Sequence, residues 1–229
     1  MKRTLINLAE VSMFSPRNLQ QVFILSISLV FSCCSGDFEH IKFNPPQANS
    51  YVSDLTTFRN QKDIFFKSGP PSPLTLEQQK YFHHLAYYPP NLDLIFQVKL
   101  IKGENETRMN IPATGGELRP ASVVGEFHFE VAGKKVVLHV YRMIGGDSTE
   151  LFLPFTDETC GKTSYAGGRY IDLKEDSSRI YRLDFNYAYN PYCAYNHNFS
   201  CPIVPSENYL NVPIEAGEKK FQQQASTPK

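Results

Sequence analysis

Between Val123 and Gly145 the chain reads VVGEFHFEVAGKKVVLHVYRMIG, and its strict alternation of apolar and polar residues is the pattern of a β-hairpin with one buried face. Centring a two-residue turn on Gly133 and Lys134 opposes Val131 to Val136, Phe129 to Leu138 and Phe127 to Val140 on one side. A slip by one residue would turn all six to water, so the face assignment is strongly determined. The opposite face then carries Glu126, His128, Glu130 and His139, with His128 directly across from His139 and Tyr141 across from Glu126. Two imidazoles and two carboxylates within cross-strand reach have the composition of a divalent-metal site. A half-buried sheet also needs a solvated polar face of this kind. No metal and no other cofactor is favoured, and His128 and His139 stand as the named candidates for a metal.

Around the hairpin the same period recurs in short runs. Residues 94–102, 107–111, 150–155, 164–173 and 178–189 read as strands, with a last short one near 209–215. Ahead of them Tyr51, Leu55, Phe58, Lys62 and Phe65 fall at helical spacing, and Gly69-Pro70-Pro71 stops that helix. Thr75 with Gln78 forms a capping box for a second, shorter helix reaching about Leu85 and carrying His83 and His84. The expected fold is α+β and mainly β: two N-terminal helices packed on a curved antiparallel sheet or partly closed barrel.

The N-terminus reads as a targeting segment. Lys2, Arg3 and Arg17 precede an apolar run from Val22 to Phe31, which is too short for a bilayer span of roughly 20 residues. Ser32-Cys33-Cys34 directly after that run resembles the lipobox of bacterial lipoproteins. The resemblance implies that Cys33 is lipidated, with Cys34 as the alternative. Acyl chains would then hold the protein to the membrane of the cell envelope while the domain stays in water. Translation starts at Met1 or Met13, and either leaves the same segment. The expected organisation is a signal peptide over 1–32, a polar tether over 33–49, one globular domain over 50–217 and a disordered tail over 218–229.

Lys and Arg together number 23, as do Asp and Glu, so the formal net charge is zero. A nucleic-acid surface normally needs a basic excess to gain affinity from phosphates, so no nucleic-acid partner is expected. Export also bears on Cys193 and Cys201, separated by seven residues and bracketed by Pro191 and Pro202. In an oxidising compartment the first reading is a disulfide, worth roughly 2–3 kcal/mol in the chain-entropy picture. Zinc bound with His197 and Cys160, or a Cys193 nucleophile with His197 as base, are the further readings of the same residues.

The candidate ligand site lies in two stretches rich in Gly, Asn, Asp and Tyr. If the strands around 164–173 and 178–189 are neighbours, Arg169, Asp184, Asn186 and Tyr189 converge at one end of a sheet. The glycines at 167 and 168 would let a ligand approach the backbone there. Arg169 supplies a planar fork for a carboxylate or phosphate, and Asp157, Tyr170 and Asn190 extend a hydrogen-bonding rim. The competing reading is a buried Arg169–Asp184 ion pair that only builds the fold. Gly161-Lys162-Thr163 is not a phosphate loop, because the upstream glycine is missing.

Three blocks of the chain resemble the bacterial family catalogued as domain of unknown function 1684 (DUF1684): FRNQKDIFFKSGPPSPLTLEQQKYFHHLAYYPP, FLPFTDETCGKTSYAGGRYIDL and DFNYAYNPYCAYNHNFSCPIVPSENYLNVPIEAGEK. The resemblance spans roughly Phe58 to Lys219 and implies a single domain. It puts Asp157, Gly168, Arg169 and Tyr170 at signature positions, as it does Asp184, Asn186, Tyr189 and Asn190, and then Cys193 and Cys201. It implies no activity. Cys160 stands where the family pattern has Ser. The expected function is a lipid-anchored envelope protein binding a small polar or anionic ligand or a protein partner. The alternatives are a hydrolase with Asp184 as acid/base and Arg169 on an anion, and a purely structural envelope protein.

Overall fold

The computed structural model describes residues 38–222. The signal segment, Cys33 and Cys34 lie outside the described residues. The elements are β1 (Phe38–His40), α1 (Pro45–Ser68), α2 (Leu76–Tyr81), β2 (Ile95–Lys99), β3 (Thr107–Pro112), β4 (Leu118–Val131), β5 (Lys134–Met143), β6 (Glu150–Asp157), β7 (Arg169–Lys174), β8 (Ile180–Asp184) and β9 (Tyr209–Leu210). The fold is mainly β. Three strands form one sheet in the order β1-β2-β8, and β3-β4-β5-β6-β7 run through a second, with β9 added parallel to β6. All other strand pairs are antiparallel. The strands do not close into a barrel.

The hairpin of β4 and β5 forms with the expected faces: Phe127, Phe129, Val131, Val136, Leu138 and Val140 are all buried. Its register is two residues from the expected one. Val131 faces Lys134, Phe129 faces Val136 and Phe127 faces Leu138. The turn centres on Ala132 and Gly133, both at positive φ (51° and 76°), the tight mirror-image turn whose twist suits two strands. A shift by two preserves the faces and changes only the opposing partners. His128 therefore sits across from Val137, not His139, and His139 sits across from Glu126.

Further down β4 the register breaks at Gly125, where a bulge brings in the other sheet. Ile101 and Glu126 exchange both backbone hydrogen bonds at 2.9 Å. A Cβ on Gly125 would stand 2.4 Å from the Ile101 carbonyl oxygen, so only glycine allows this junction. Between the sheets, Phe96, Phe127, Phe129, Phe155 and Phe185 pack with Leu138, Leu153 and Leu183 into the main core.

Helix α1 begins earlier than the spacing suggested. Asn44 caps it: its side chain accepts from Gln47 N at 3.0 Å, and the Gln47 side chain accepts from Asn44 N at 3.1 Å. Pro45 and Pro46, read as tether, occupy the first helical turn, where a missing N–H costs nothing. The tether reading over 33–49 thus gives way from Phe38 onward to a strand and the start of a helix. Tyr51 and Leu55 pack on Ile95 of β2, and Phe66 packs with Leu74, Phe82, Leu85 and Tyr195. The Thr75–Gln78 capping box forms, but α2 ends at Tyr81, so His83 and His84 follow the helix rather than ride on it.

The C-terminal segment departs most from expectation. Val212, Ile214, Ala216, Gly217 and Glu218 are all buried, so residue 218 belongs to the domain and not to a tail. Among the described residues no helix is long and apolar enough to cross a membrane.

Candidate functional site

Strands β7 and β8, expected side by side, lie in different sheets. The ion pair imagined between them does not form. Arg169 Nη2 meets Asp157 Oδ2 at 2.7 Å with both side chains sealed from solvent. The same guanidinium donates to the carbonyl oxygens of Ile214 (2.8 Å) and Ala216. Asp157 Oδ1 in turn accepts from Thr159 N at 2.7 Å and Ile214 N at 3.2 Å. Arg169 and Asp157 therefore recognise the chain's own C-terminal strap and are not available to a ligand. Gly168 stands at φ +88, and a Cβ there would lie 2.6 Å from the Phe155 carbonyl oxygen, so its special conformation also serves the fold.

Asp184 sits elsewhere. Its carboxylate accepts from Tyr51 Oη at 3.1 Å, from Asn186 N and Nδ2 at 3.0 Å each, and pairs with Arg182 at 3.1 Å. Burial raises its pKa above the usual carboxylate value, with Arg182 pulling the other way. Asn186 is buried and donates to the Asn91 carbonyl at 2.7 Å. Asn190 is buried too, its backbone donating to Glu218 at 3.0 Å and its side chain to the Lys219 carbonyl at 2.8 Å. Glu218 completes a buried cluster with Lys62 of α1 and the Tyr195 hydroxyl, which fastens helix to strap. With Arg169 and Asp184 apart, the Asp/Arg arrangement of a hydrolase is not assembled.

Two of the expected residues do meet at an open hollow. Tyr170 and Tyr189 form an isolated antiparallel bridge, with their rings edge-to-face at 5.8 Å. They line a cleft between β6, β7 and the loop of residues 191–202. Its aromatic walls are Phe152, Tyr170, Tyr189, Tyr192 and Phe199. Phe152 meets Tyr170 edge-to-face at 4.7 Å, and Tyr192 meets Phe199 at 5.3 Å. The charged residues of the lining are Asp147, Glu150, Asp172 and Arg119. Tyr189 Oη donates to Asp172 Oδ2 at 2.6 Å, while the Tyr170 hydroxyl donates to the Pro202 carbonyl. Arg119 is engaged already, by Glu117 at 3.1 Å and by the Ser200 carbonyl at 2.6 Å. Burial holds the Tyr170 and Tyr189 phenols far above their ordinary pKa, and lifts that of Tyr192 to about 12. These hydroxyls are hydrogen-bond donors at neutral pH, not bases.

Sequence reasoning missed Asp172, Arg119 and Phe152. A signal for the first existed: on a period-two strand Asp172 shares the face of Tyr170, with Ile171 turned to the core. Phe152 is the direct neighbour of Asp172 across the β6–β7 ladder. Arg119 comes from β4, distant in sequence, and nothing local marks it.

The other candidates are placed as follows. Glu126 lies between the two histidines, 2.8 Å from His128 Nε2 and 3.6 Å from His139 Nδ1. Among the described residues no group of three or more His, Cys, Asp or Glu side chains is arranged to hold a metal ion. Cys193 and Cys201 are neighbouring thiols without a bridge in this structure, the Cys193 backbone N–H pointing at Cys201 Sγ at 3.3 Å. Cys201 lines the cleft. Cys160 lies apart from them, beside Asp157 and Ser164.

Residues 80–219 match the family described as "Protein of unknown function (DUF1684)". Among solved structures the chain is similar to an uncharacterized protein of Haloarcula marismortui, determined by NMR in solution. The two are 32% identical over 76% of this chain and 96% of that one, with a TM-score of 0.59. No functionally curated protein matches the chain.

Proposed function

The chain belongs to the DUF1684 family, proteins of unknown function, and on that footing we propose that it is a lipid-anchored envelope domain whose aromatic cleft binds a small organic cation. The observation that carries the reading is the cleft's composition: five aromatic rings around a hollow whose charged lining is three carboxylates against one guanidinium. Aromatic faces attract cations, each contact contributing roughly 0.5–2 kcal/mol as water is excluded. Arg119 is held by Glu117 and Ser200 as Asp172 is held by Tyr189, so the cleft's bias rests on the excess of carboxylates over guanidinium in its lining. The ligand favoured is an amine or quaternary ammonium on an apolar body, in place of the anionic ligand that an accessible Arg169 would suggest. Anchoring rests on Cys33 after the apolar run, which leaves the cleft in water outside the membrane.

Titration with benzyltrimethylammonium and with benzoate, followed by thermal unfolding, tests the binding reading. The ammonium raises the midpoint in wild type and not in Phe199→Ala, while benzoate has no effect. If neither compound binds, or if both bind equally well in the variant, the cleft is not a cation site and the structural alternative gains. Labelling with radioactive palmitate in a bacterial host, lost in Cys33→Ser, tests the anchor separately.

A further inference from the structure

The loop of residues 191–202 forms one wall of the cleft and carries a thiol near each end. It is pinned from outside by the turn between β3 and β4. Thr114 N donates to the Cys201 carbonyl at 2.9 Å, Cys201 N donates to Thr114 Oγ1 at 3.0 Å, and Ile203 N donates to the Pro112 carbonyl at 2.7 Å. Arg119 holds the Ser200 carbonyl, and Gly115 N donates to Ser200 Oγ at 2.8 Å. The two sulfurs are thus presented to each other by a fastened backbone, within hydrogen-bonding reach, with the Tyr165 hydroxyl 3.8 Å from Cys193 Sγ. Disulfide geometry demands closely placed Cα and Cβ atoms, and this fastened loop brings Cys201 Sγ to 3.3 Å from the Cys193 backbone N, which favours closing a bridge.

We propose that Cys193 and Cys201 are a redox-active dithiol that exchanges with external disulfides entering through the cleft. Cys201 meets the incoming disulfide, because it lines the cleft and Cys193 does not. Cys201 passes its proton across the contact to Cys193, and its sulfur attacks one sulfur of the external disulfide. A bond forms between the two, the external S–S bond breaks, and the departing thiolate takes up the proton that the pair released. Cys193, deprotonated in turn, attacks Cys201 Sγ, the mixed bond breaks, and the second external thiol leaves. Two protein thiols are oxidised to one intrachain disulfide, and one external disulfide is reduced to two thiols. The hydrogen bond from Cys201 brings the Cys193 thiol down to about 7, while that same contact and burial push Cys201 up. The pair therefore gives up its first proton near neutrality and holds the second. The bridge would make the cleft wall rigid in an oxidising compartment and leave it free to adjust under reducing conditions. None of this rests on which ligand the cleft takes.

The test is the intact mass and peptide map of the reduced full chain after exposure to oxidised glutathione. In wild type the 193–201 pair loses two hydrogens and keeps no glutathione, while Cys160 stays slower to react. Cys193→Ser traps one glutathione on Cys201, because the resolving thiol is gone. Cys201→Ser slows the first step by ~10-fold or more, because it removes the sulfur that lines the cleft. A wild-type protein that accumulates glutathione on either residue, or that leaves both thiols free under conditions that oxidise the urea-unfolded chain, overturns the proposal. The wild-type measurement decides by itself if either variant fails to fold.

Discussion

Arg169 and Asp157, twelve residues apart in sequence, meet at 2.7 Å where solvent reaches neither side chain, and the strap of residues 211–218 is threaded over the pair. Donors and acceptors on both partners end on backbone groups of that strap. A charge pair of this kind is poor evidence of net stabilisation, since desolvating two ions offsets most of their attraction, but removing one partner strands the other.

Arg169→Leu is accordingly expected to lower stability by about 3–5 kcal/mol, as is Asp157→Asn to a lesser degree. Urea unfolding of the two variants measures this. Limited proteolysis should cut first within residues 211–218 in Arg169→Leu. A wild-type unfolding midpoint in that variant would remove the strap from the pair's account.

Asp184 makes a pH prediction. Burial raises its native pKa above that of the unfolded chain, so the native state holds the proton more tightly. Its contribution to stability is then largest below the ordinary carboxylate range and declines as pH rises from there through the native value. Asp184→Asn, which keeps an oxygen for Tyr51 and Asn186, should flatten that decline. Unfolding free energies of both proteins between acid and neutral pH give the comparison, and parallel curves would mean that Asp184 ionises in the native state as freely as in the unfolded one.

Gly125→Ala tests the junction of the sheets. A methyl group 2.4 Å from the Ile101 carbonyl must separate the two strands or break the paired hydrogen bonds between Ile101 and Glu126. The loss expected is on the order of 2–4 kcal/mol, at the upper end for single substitutions. Amide exchange at residues 101 and 126 should speed up with it. Unchanged exchange would show that the bulge has room to spare.

Within the cleft, Tyr192→Leu keeps apolar bulk and removes a π face. It should weaken binding of benzyltrimethylammonium by ~0.5–2 kcal/mol, a few-fold to about thirty-fold. Equal affinity in wild type and variant would separate Tyr192 from the ligand.

The sequence was most legible where geometry is local. The outward and inward faces of β4 and β5, the capping box at Thr75 and the helix stop at Gly69 all follow from spacing within a few residues. Asn44 and Gln47 bore the same signature, hidden because the intervening proline pair resembles a linker and is in fact favourable in a first helical turn. The hairpin register was out by two because Ala132, not only Gly133, takes positive φ, which an alanine seldom does. Tyr170 and Tyr189 lie side by side, while Arg169 and Asp184, expected as neighbours, sit on strands of different sheets.

Which residues face the core is decided by the two-residue period of the strand, and the chain carries that information in every short run. Which charged groups become partners is decided by strand order and by where the C-terminal segment returns. Arg169 takes Asp157 and the carbonyls at 214 and 216 because β7 lies at the edge of the larger sheet, away from β8. Burial then excludes water as a competing partner, so each buried charge must find its match in the protein, and tertiary contacts alone say which one is near.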